Sequence, residues 1–513
     1  MLAVVAVLVV IRNLSALDSV PVGAYVDETS IGYNAWTISS SGVDEHGAHL
    51  PLYFTAFGEY KNPVYIYALS AILRVLPLTV TTERLPAAIF GMLMCLCVAL
   101  LAWQRSRSAL VTTAALALAA LNPWLSVESR VGFEVIAIVA AVGAALWCLS
   151  VAQRTGRARW YLATGCLLAV AVFAYSTGRV AVALFTAALI VVEVRPAQRA
   201  RTWAWTVALI PIGAAYVGLL AWNTAHPGAL TARFGAISIA ADGAPAATVL
   251  GRFVGNWLTY FGPDFLFLSG DHNPRHNTQF GGMLLWVMAP LLIAGLVALW
   301  RRRVEPFVRF VLLGLLVAPV SAALTSESVP HAVRASVMLP FLFAVAVEGL
   351  RLFHETARSW RGWAYVGVAL ALAVQGALFT VDMFATWPAR SAPAFDVGAL
   401  AAISRASALA GSRQLLVSST LDQPYIQAAF VLRPPPPASF AADSVSPLLA
   451  SMRIVEFDPT SPPPSSGAIA VMSAADPAPP GWQRLFTETS PTAPLAIGET
   501  PAVYTSVSVY RVG

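Results

Sequence analysis

Pro21-Val-Gly-Ala-Tyr-Val-Asp-Glu-Thr-Ser-Ile-Gly-Tyr-Asn34 follows an apolar stretch at residues 1–17 and carries the acidic pair Asp27-Glu28 in a polar loop. Asp44-Glu45-His46-Gly47 and Tyr60-Lys61-Asn62-Pro63 complete this loop, which runs over residues 18–62. Lys61 is the only lysine among 32 basic residues, so a chain that uses Arg everywhere else keeps one ammonium beside its acidic cluster. A carboxylate at a water–lipid boundary can take a proton from a hydroxyl, and a nearby cation can hold a phosphate.

Working outward, the loop belongs to a chain built for lipid. Charged residues are 11% of the 513 and apolar ones 58%, with a mean hydropathy of +0.69. Soluble domains carry about a quarter charged residues, so the fold class is a polytopic α-helical membrane protein. Crossing a bilayer as helix takes about 17–25 apolar residues. Eleven such stretches are expected, near 1–17, 84–103, 108–122, 131–152, 160–176, 179–194, 202–222, 282–300, 307–325, 335–353 and 362–381. The first has no basic residue before it; a cleaved signal and a late-assigned start are alternatives, and a retained helix that anchors the Asp27 loop is the expectation.

Arginines set the orientation. Arg105 and Arg107 follow the second span, Arg154, Arg157 and Arg159 the fourth, and Arg195, Arg199 and Arg201 the sixth. Arg301 to Arg303 follow the eighth, and Arg351, Arg358 and Arg361 the tenth. Every second connection is thus short and Arg-rich, which marks those connections as cytoplasmic. The loops with Asp27, His272 and His331, and the C-terminal tail, then lie outside. Residues 63–80 are apolar too, but counting them as a span would place the arginine clusters outside, and Arg74 sits among them. They are expected to form an interfacial or re-entrant helix on the outer leaflet.

Past Trp387 the chain is rich in Pro, Ser and Ala, with short apolar runs at Leu415–Ser418, Arg453–Phe457, Ala468–Met472 and Ala502–Tyr510 that read as strands. Pro434 to Pro437 read as a stiff surface turn. The organisation expected is a transmembrane domain at 1–385 and a small extracytoplasmic α/β domain at 386–513. Cys95, Cys97, Cys148 and Cys166 fall inside spans without metal-ligand spacing and read as small packing residues. The net charge of +6 comes from the cytoplasmic arginines, with no basic stripe interleaved with aromatics, so nucleic acid is not an expected partner.

Six of the seven histidines (His46, His49, His226, His272, His276 and His331) fall in outer segments, which places any chemistry there. Four outer segments join the first loop: Asn122-Pro-Trp-Leu-Ser-Val-Glu-Ser-Arg130 with Phe133-Glu134; Tyr175-Ser-Thr-Gly-Arg179; Ser269-Gly-Asp-His-Asn-Pro-Arg-His276; and Thr325-Ser-Glu-Ser-Val-Pro-His331-Ala-Val-Arg334. Ionisable groups at a membrane boundary are costly and are usually functional.

With Gly58-Glu-Tyr-Lys-Asn-Pro63 and Arg84-Leu-Pro-Ala-Ala-Ile-Phe-Gly91, these motifs carry a resemblance over residues 20–385 that extends to Asp422-Gln-Pro-Tyr-Ile426. The chain resembles the GT-C membrane glycosyltransferases of the dolichyl-phosphate-mannose–protein mannosyltransferase and lipid A aminoarabinose transferase type (glycosyltransferase family 39-like). The resemblance implies a cell membrane protein, bacterial by kinship, with its active site on the outer face. The implied reaction is inverting transfer of a sugar from a polyprenyl-phosphate donor to an extracytoplasmic acceptor, either protein, lipid or polysaccharide. It makes Asp27 the base, with Glu28 as supporting carboxylate, and needs no cofactor, a divalent metal remaining open. A leaving phosphate needs no proton, only fixed positive charge; Lys61, Arg130, Arg275, His276, His331 and Arg334 are the candidates. Tyr33, Asp44, Glu45, Glu59, Glu134, Tyr175, Arg179 and Asp271 are candidate lining residues.

Plainer readings stand beside these. Asp27 and Glu28 can cap the helix expected to begin at Thr29, Arg130 and Glu134 can form a local pair, and His331 and Arg334 can hold lipid headgroups. Asp271, His272, His276 and His46 match no metal-ligand spacing. A transporter or flippase of lipid-linked saccharides is the alternative function. It would line a mid-membrane path with charge, whereas the polar residues here collect in outer loops. The arginine pattern predicts that a topology reporter fused after Arg159 reports from the cytoplasm and one after Thr386 from outside. Both on one side would overturn the outer placement of Asp27.

Overall fold

Segments that are apolar on every face form helices that bury themselves in one another or in lipid. The computed structural model describes all residues except 195–202, 357–360, 437–444, 462–466 and 490–504. Each of the eleven expected spans coincides with helix. Among the described residues, six helices are long and apolar enough to cross a membrane by length and composition: Val80–Ser106, Val135–Thr155, Trp203–Ala225, Pro306–Ala323, Ala332–Thr356 and Val366–Ala394. The others are shorter: α1 (Leu2–Leu14) and the helices Ala109–Ala120, Ala158–Ala174, Gly178–Glu193 and Met288–Arg301. In the contested 63–80 stretch, the helix covers only Pro63–Leu73, 11 residues. At 1.5 Å per residue that is about 16 Å, roughly half of a hydrocarbon core. Arg195, Arg199, Arg201, Arg358 and Pro437 lie outside the described residues, as do positions 502–504 of the last expected strand.

Two compact units form, and they do not follow the linear order. One comprises Met1–Ser15, Ala87–Arg130 and Glu134–Val381; the other comprises Ala16–Pro86, Val131–Phe133 and Asp382–Gly513.

The first unit is helical. Val135–Thr155, a run of Ala, Val, Ile and Leu, is buried along almost its whole length. Met288–Arg301 and Leu339–Thr356 approach closely because small residues meet at the crossing. A Cβ on Gly349 would fall 2.0 Å from the Leu291 carbonyl oxygen, and one on Gly295 would fall 2.0 Å from that of Val345. Arg105 donates to Glu348 at 2.5 Å and to Glu305 at 3.1 Å, so the buried Glu348 is matched by a cation.

The second unit joins the first loop to the C-terminal segment. Its elements before residue 86 are α2 (Val26–Ser41), the hairpin β1 (Phe54–Ala56) and β2 (Glu59–Lys61), α3 (Pro63–Leu73), and the start of α4 (Val80–Ser106). Beyond residue 410 a five-stranded sheet forms from β3 (Leu415–Ser418), β4 (Ile454–Phe457), β5 (Ile469–Ser473), β6 (Gln483–Thr489) and β7 (Thr505–Arg511), in the order β4-β3-β5-β7-β6. β3 runs parallel to β4 and β5, while β7 runs antiparallel to β5 and β6. Ala402, Ile403 and Ala406 of the helix Ala399–Ala410 pack on Leu415, Val417, Val471 and Val509 on one face. Leu416, Ala470, Met472 and Tyr510 form a second cluster on the other face. Four of these strands coincide with the expected apolar runs. β6 was not expected, because Gln483-Arg-Leu-Phe-Thr-Glu-Thr489 is a half-exposed edge strand with little apolar content.

Candidate active site

α2 is polar yet buried on nearly every side; several of its polar groups are satisfied locally, while the buried Ser30 hydroxyl has no hydrogen-bond partner among the described residues. Thr29 donates to the Val26 carbonyl, Asn34 to that of Ser30, and Thr37 to that of Asn34. Such back-bonding lets hydroxyls and amides sit in a protein interior without an unmet hydrogen bond. The helix also packs on the C-terminal segment within the same unit: Tyr33 donates its hydroxyl to the Pro434 carbonyl at 2.9 Å. Gly32 is required there, since a Cβ would lie 2.4 Å from the Phe430 ring.

α2 starts at Val26, three residues earlier than expected, with Tyr25 as its N-cap. Glu28, on the first turn, accepts the Tyr25 amide at 3.2 Å. It also takes a two-pronged contact from Arg84, Nε to Oε1 at 2.7 Å and Nη2 to Oε2 at 3.0 Å, and the Gly132 amide at 2.9 Å. The remaining Arg84 donors reach the carbonyls of Leu17 at 2.8 Å, Pro21 at 2.6 Å and Gly23 at 2.6 Å. All five N–H groups of a guanidinium are thereby used, and both side chains are buried. Glu28 is therefore a cap and an anchor. Arg84 lies in a motif that supported the resemblance but was not expected at the site; an arginine opening an apolar span was the available signal. Glu83 beside it is fully buried, with neither carboxyl oxygen hydrogen-bonded among the described residues. Gly132 makes room for it, since a Cβ there would fall 1.9 Å from Oε2.

Asp27, one residue before Glu28, turns outward: its side chain is 28% exposed and is hydrogen-bonded to Lys61. Lys61 ends the β1–β2 hairpin, whose two turn residues Phe57 and Gly58 both have positive φ, at 56° and 73°. Glycine takes this backbone freely, but a phenylalanine there is strained. The strained turn places the Phe57 ring 5.0 Å from Lys61 Nζ, a cation–π contact, and edge-on to Tyr425 at 6.2 Å. Asp27 and Lys61, 34 residues apart, are thus brought together as a half-open ion pair above a fully used anchor.

Glu45 is fully buried in the same unit. Asn34 clamps it, donating to Oε1 at 3.1 Å and accepting the Glu45 amide at 3.0 Å, while Oε2 has no hydrogen bond among the described residues. Burial pushes its carboxyl up to about 8, opposed by Asn34 and Lys61 and aided by Asp44. Asp44 holds a turn, accepting the amides of His46 and Ala48; burial raises it, against those bonds. Glu59 is exposed on β2.

The first unit holds a separate polar cluster. Asp271 accepts the Asn273 amide at 2.8 Å, the Ala332 amide at 2.7 Å and His276 Nδ1 at 2.8 Å. Burial alone would raise its carboxyl, but His276 and these amides hold it below the usual range. The His276 and His331 rings lie 4.7 Å apart, and Asp271, His276 and His331 each offer a ligand atom within 4.8 Å of the others. Hydrogen bonds already occupy both Asp271 oxygens, as expected of an aspartate that orients an imidazole. Arg275 is half-buried in the same turn, its amide donating to Asn273. Arg334 binds Glu327 at 2.5 Å and Thr325 at 3.1 Å. Arg130 is buried and donates to the carbonyls of Arg12 at 2.9 Å and Ser15 at 2.5 Å. Glu134 is the residue before Val135–Thr155, Tyr175 ends Ala158–Ala174, and Arg179 donates to the Leu230 carbonyl at 3.3 Å.

Solved structures share this architecture. ArnT from Cupriavidus metallidurans bound to undecaprenyl phosphate superposes with a TM-score of 0.57 at 14% identity, covering 99% of this chain and 97% of that one. The GT-C fold is present. The apo state of the same ArnT gives 0.55 at 14% identity over the same shares. An oligosaccharyltransferase from Archaeoglobus fulgidus, in complex with Zn and sulfate, gives 0.50 at 14% identity, covering 92% of this chain and 68% of that one. No family model matches the sequence, and no curated protein matches it.

The anchor and Glu45 each give a test. Arg84→Ala leaves the Glu28 carboxylate buried and unpaired, a loss of about 3–5 kcal/mol for a buried pair, read as a large fall in thermal unfolding temperature in detergent. Arg84→Lys recovers only part, since an ammonium has three donors against five. Glu45 has its folded pKa raised from 4.5 to about 8. Its stabilising contribution is therefore full below about pH 4.5 and lost as pH rises through about 8. Unfolding temperature should fall between about pH 4.5 and 8, and Glu45→Gln should flatten that fall; an unchanged profile in the variant would assign it elsewhere.

Proposed function

We propose that the protein is an inverting glycosyltransferase that moves a sugar from a polyprenyl-phosphate donor to an extracytoplasmic hydroxyl acceptor, with Asp27 as general base. The observation that carries this reading is the Asp27–Lys61 pair, its carboxylate partly exposed and its lysine buried, seated beside the buried Glu28–Arg84 anchor in a GT-C fold. The bound undecaprenyl phosphate of the similar ArnT structure supports the donor class.

The chemistry needs few groups. The acceptor oxygen attacks the anomeric carbon as its bond to the phosphate oxygen breaks, and the hydroxyl proton passes to the Asp27 carboxylate. The electron pair of the broken bond leaves with the lipid phosphate, and one displacement inverts the anomeric centre. Lys61 aligns the Asp27 carboxylate before reaction and offers positive charge to the phosphate. Of the expected set, Arg130 and Arg334 already serve local carbonyls and Glu327. The arginine pattern supports an outer-face site, eleven spans and α3 in the interface, and the resemblance supports a bacterial plasma membrane. There the donor must be lipid-linked, because nucleotide sugars are not supplied on that side.

Asp27→Asn should keep donor binding and lower kcat by about 10²–10⁴-fold, the usual contribution of a positioned base. Lys61→Ala should weaken donor binding and transfer, and Lys61→Arg should restore only part, a planar fork replacing a compact charge. Titrating a polyprenyl-phosphate sugar against the three variants in nanodiscs reads all of this. Wild-type turnover by Asp27→Asn would falsify the base assignment.

A further inference from the structure

A cavity of about 410 Å³ opens between the C-terminal turns of α2 and the far end of α3, on residues that the proposed reaction does not use. Ser39, Leu50, Tyr67, Ser70 and Arg74 line it, and no carboxylate does. Tyr67 is fixed by its hydroxyl on the Pro51 carbonyl at 2.7 Å. Ser70 is only 4% exposed, yet among the described residues its hydroxyl has no hydrogen-bond partner, and it lines the cavity. The Ser39 hydroxyl and the Arg74 guanidinium are also without partners among the described residues. A cation at the end of α3 is favourable to that helix's own dipole, but this explains neither the cavity nor the two unused hydroxyls. Leu50 in the lining and Val75 and Leu76, the two residues that follow Arg74, expose 54%, 81% and 42% of their surface. An apolar rim above a cationic, hydroxyl-lined hollow matches a lipid with its chains in the leaflet and its phosphate below.

We propose that this cavity binds the anionic headgroup of a membrane phospholipid, with Arg74 on the phosphate and Ser39 and Ser70 on its oxygens or glycerol hydroxyls. The site uses α3 as the interfacial helix and does not depend on transfer chemistry, so an Asp27→Asn protein without turnover retains it.

The test uses the full chain, purified in neutral detergent and delipidated, then titrated with phosphatidylglycerol or phosphatidylcholine while native mass spectrometry counts retained lipid. The wild type should retain one phosphatidylglycerol in preference to phosphatidylcholine. Arg74→Ala should lower its occupancy by about tenfold, the scale of one charge-assisted hydrogen bond. Arg74→Lys should keep most of it, Ser70→Ala should lower it in part, and Arg157→Ala, outside the cavity lining, should leave it unchanged. Each variant is first shown to be monodisperse. Equal retention by wild type and Arg74→Ala, or by the two lipids, overturns the proposal. So does loss in Arg74→Lys as large as in Arg74→Ala. Displacement by inorganic phosphate at the same concentration as the lipid overturns the lipid assignment and leaves a free-phosphate site.

Discussion

One buried ion pair organises everything around the proposed base. Arg84 spends two N–H groups on Glu28 and three on the carbonyls of Leu17, Pro21 and Gly23, while Glu28 also accepts the amides of Tyr25 and Gly132. A buried pair is a weak source of net stability, because removing two charges from water costs nearly what their attraction returns. Its value here is definition. The approach to α2, the first turn of α2, the first turns of α4 and the 131–133 segment all converge on one set of planar contacts, which leaves little freedom in where Asp27 stands. A base held within a few tenths of an ångström works far better than one that must find its geometry.

Much of the helical architecture was legible because lipid imposes a length and a composition that few other environments demand. The stretches near 84–103, 131–152 and 335–353 read directly from the sequence and coincide with Val80–Ser106, Val135–Thr155 and Ala332–Thr356. β3 was equally plain, its Leu415-Leu-Val-Ser418 being buried at all four positions. Two features escaped notice for different reasons. Arg84 resembles an interfacial anchor until the carbonyls it serves are known. β6 lies at a sheet edge, where the alternation of apolar residues is weak.

The candidate site was legible in part for the same reason. The composition of the first loop marked Asp27, Glu28 and Lys61 together, since a solitary lysine beside paired acids has little reason to persist in an arginine-only chain. Their division of labour was hidden. Nothing in the spacing says that Glu28 is buried and bonded through both oxygens, or that Glu45 is clamped by Asn34 eleven residues earlier. The grouping of the first loop with the C-terminal segment was hidden too, because the contacts of Tyr33 with Pro434 and of Gly32 with Phe430 span about four hundred residues.

Neighbouring residues on a helix point about 100° apart, and the Asp27-Glu28 pair exploits this. At the start of a helix buried on most sides, one of two adjacent carboxylates can face the interior while the other meets the open edge. The inner one must be paired, and Arg84 supplies that. The outer one must stay reachable, and an ammonium paired with a partly exposed carboxylate is exchangeable where a saturated guanidinium is not. A lysine contact is a point charge on a flexible stem, able to move from a carboxylate to an arriving phosphate. Using arginine for the fixed contact and the chain's single lysine for the exchangeable one follows from what the two cations do best.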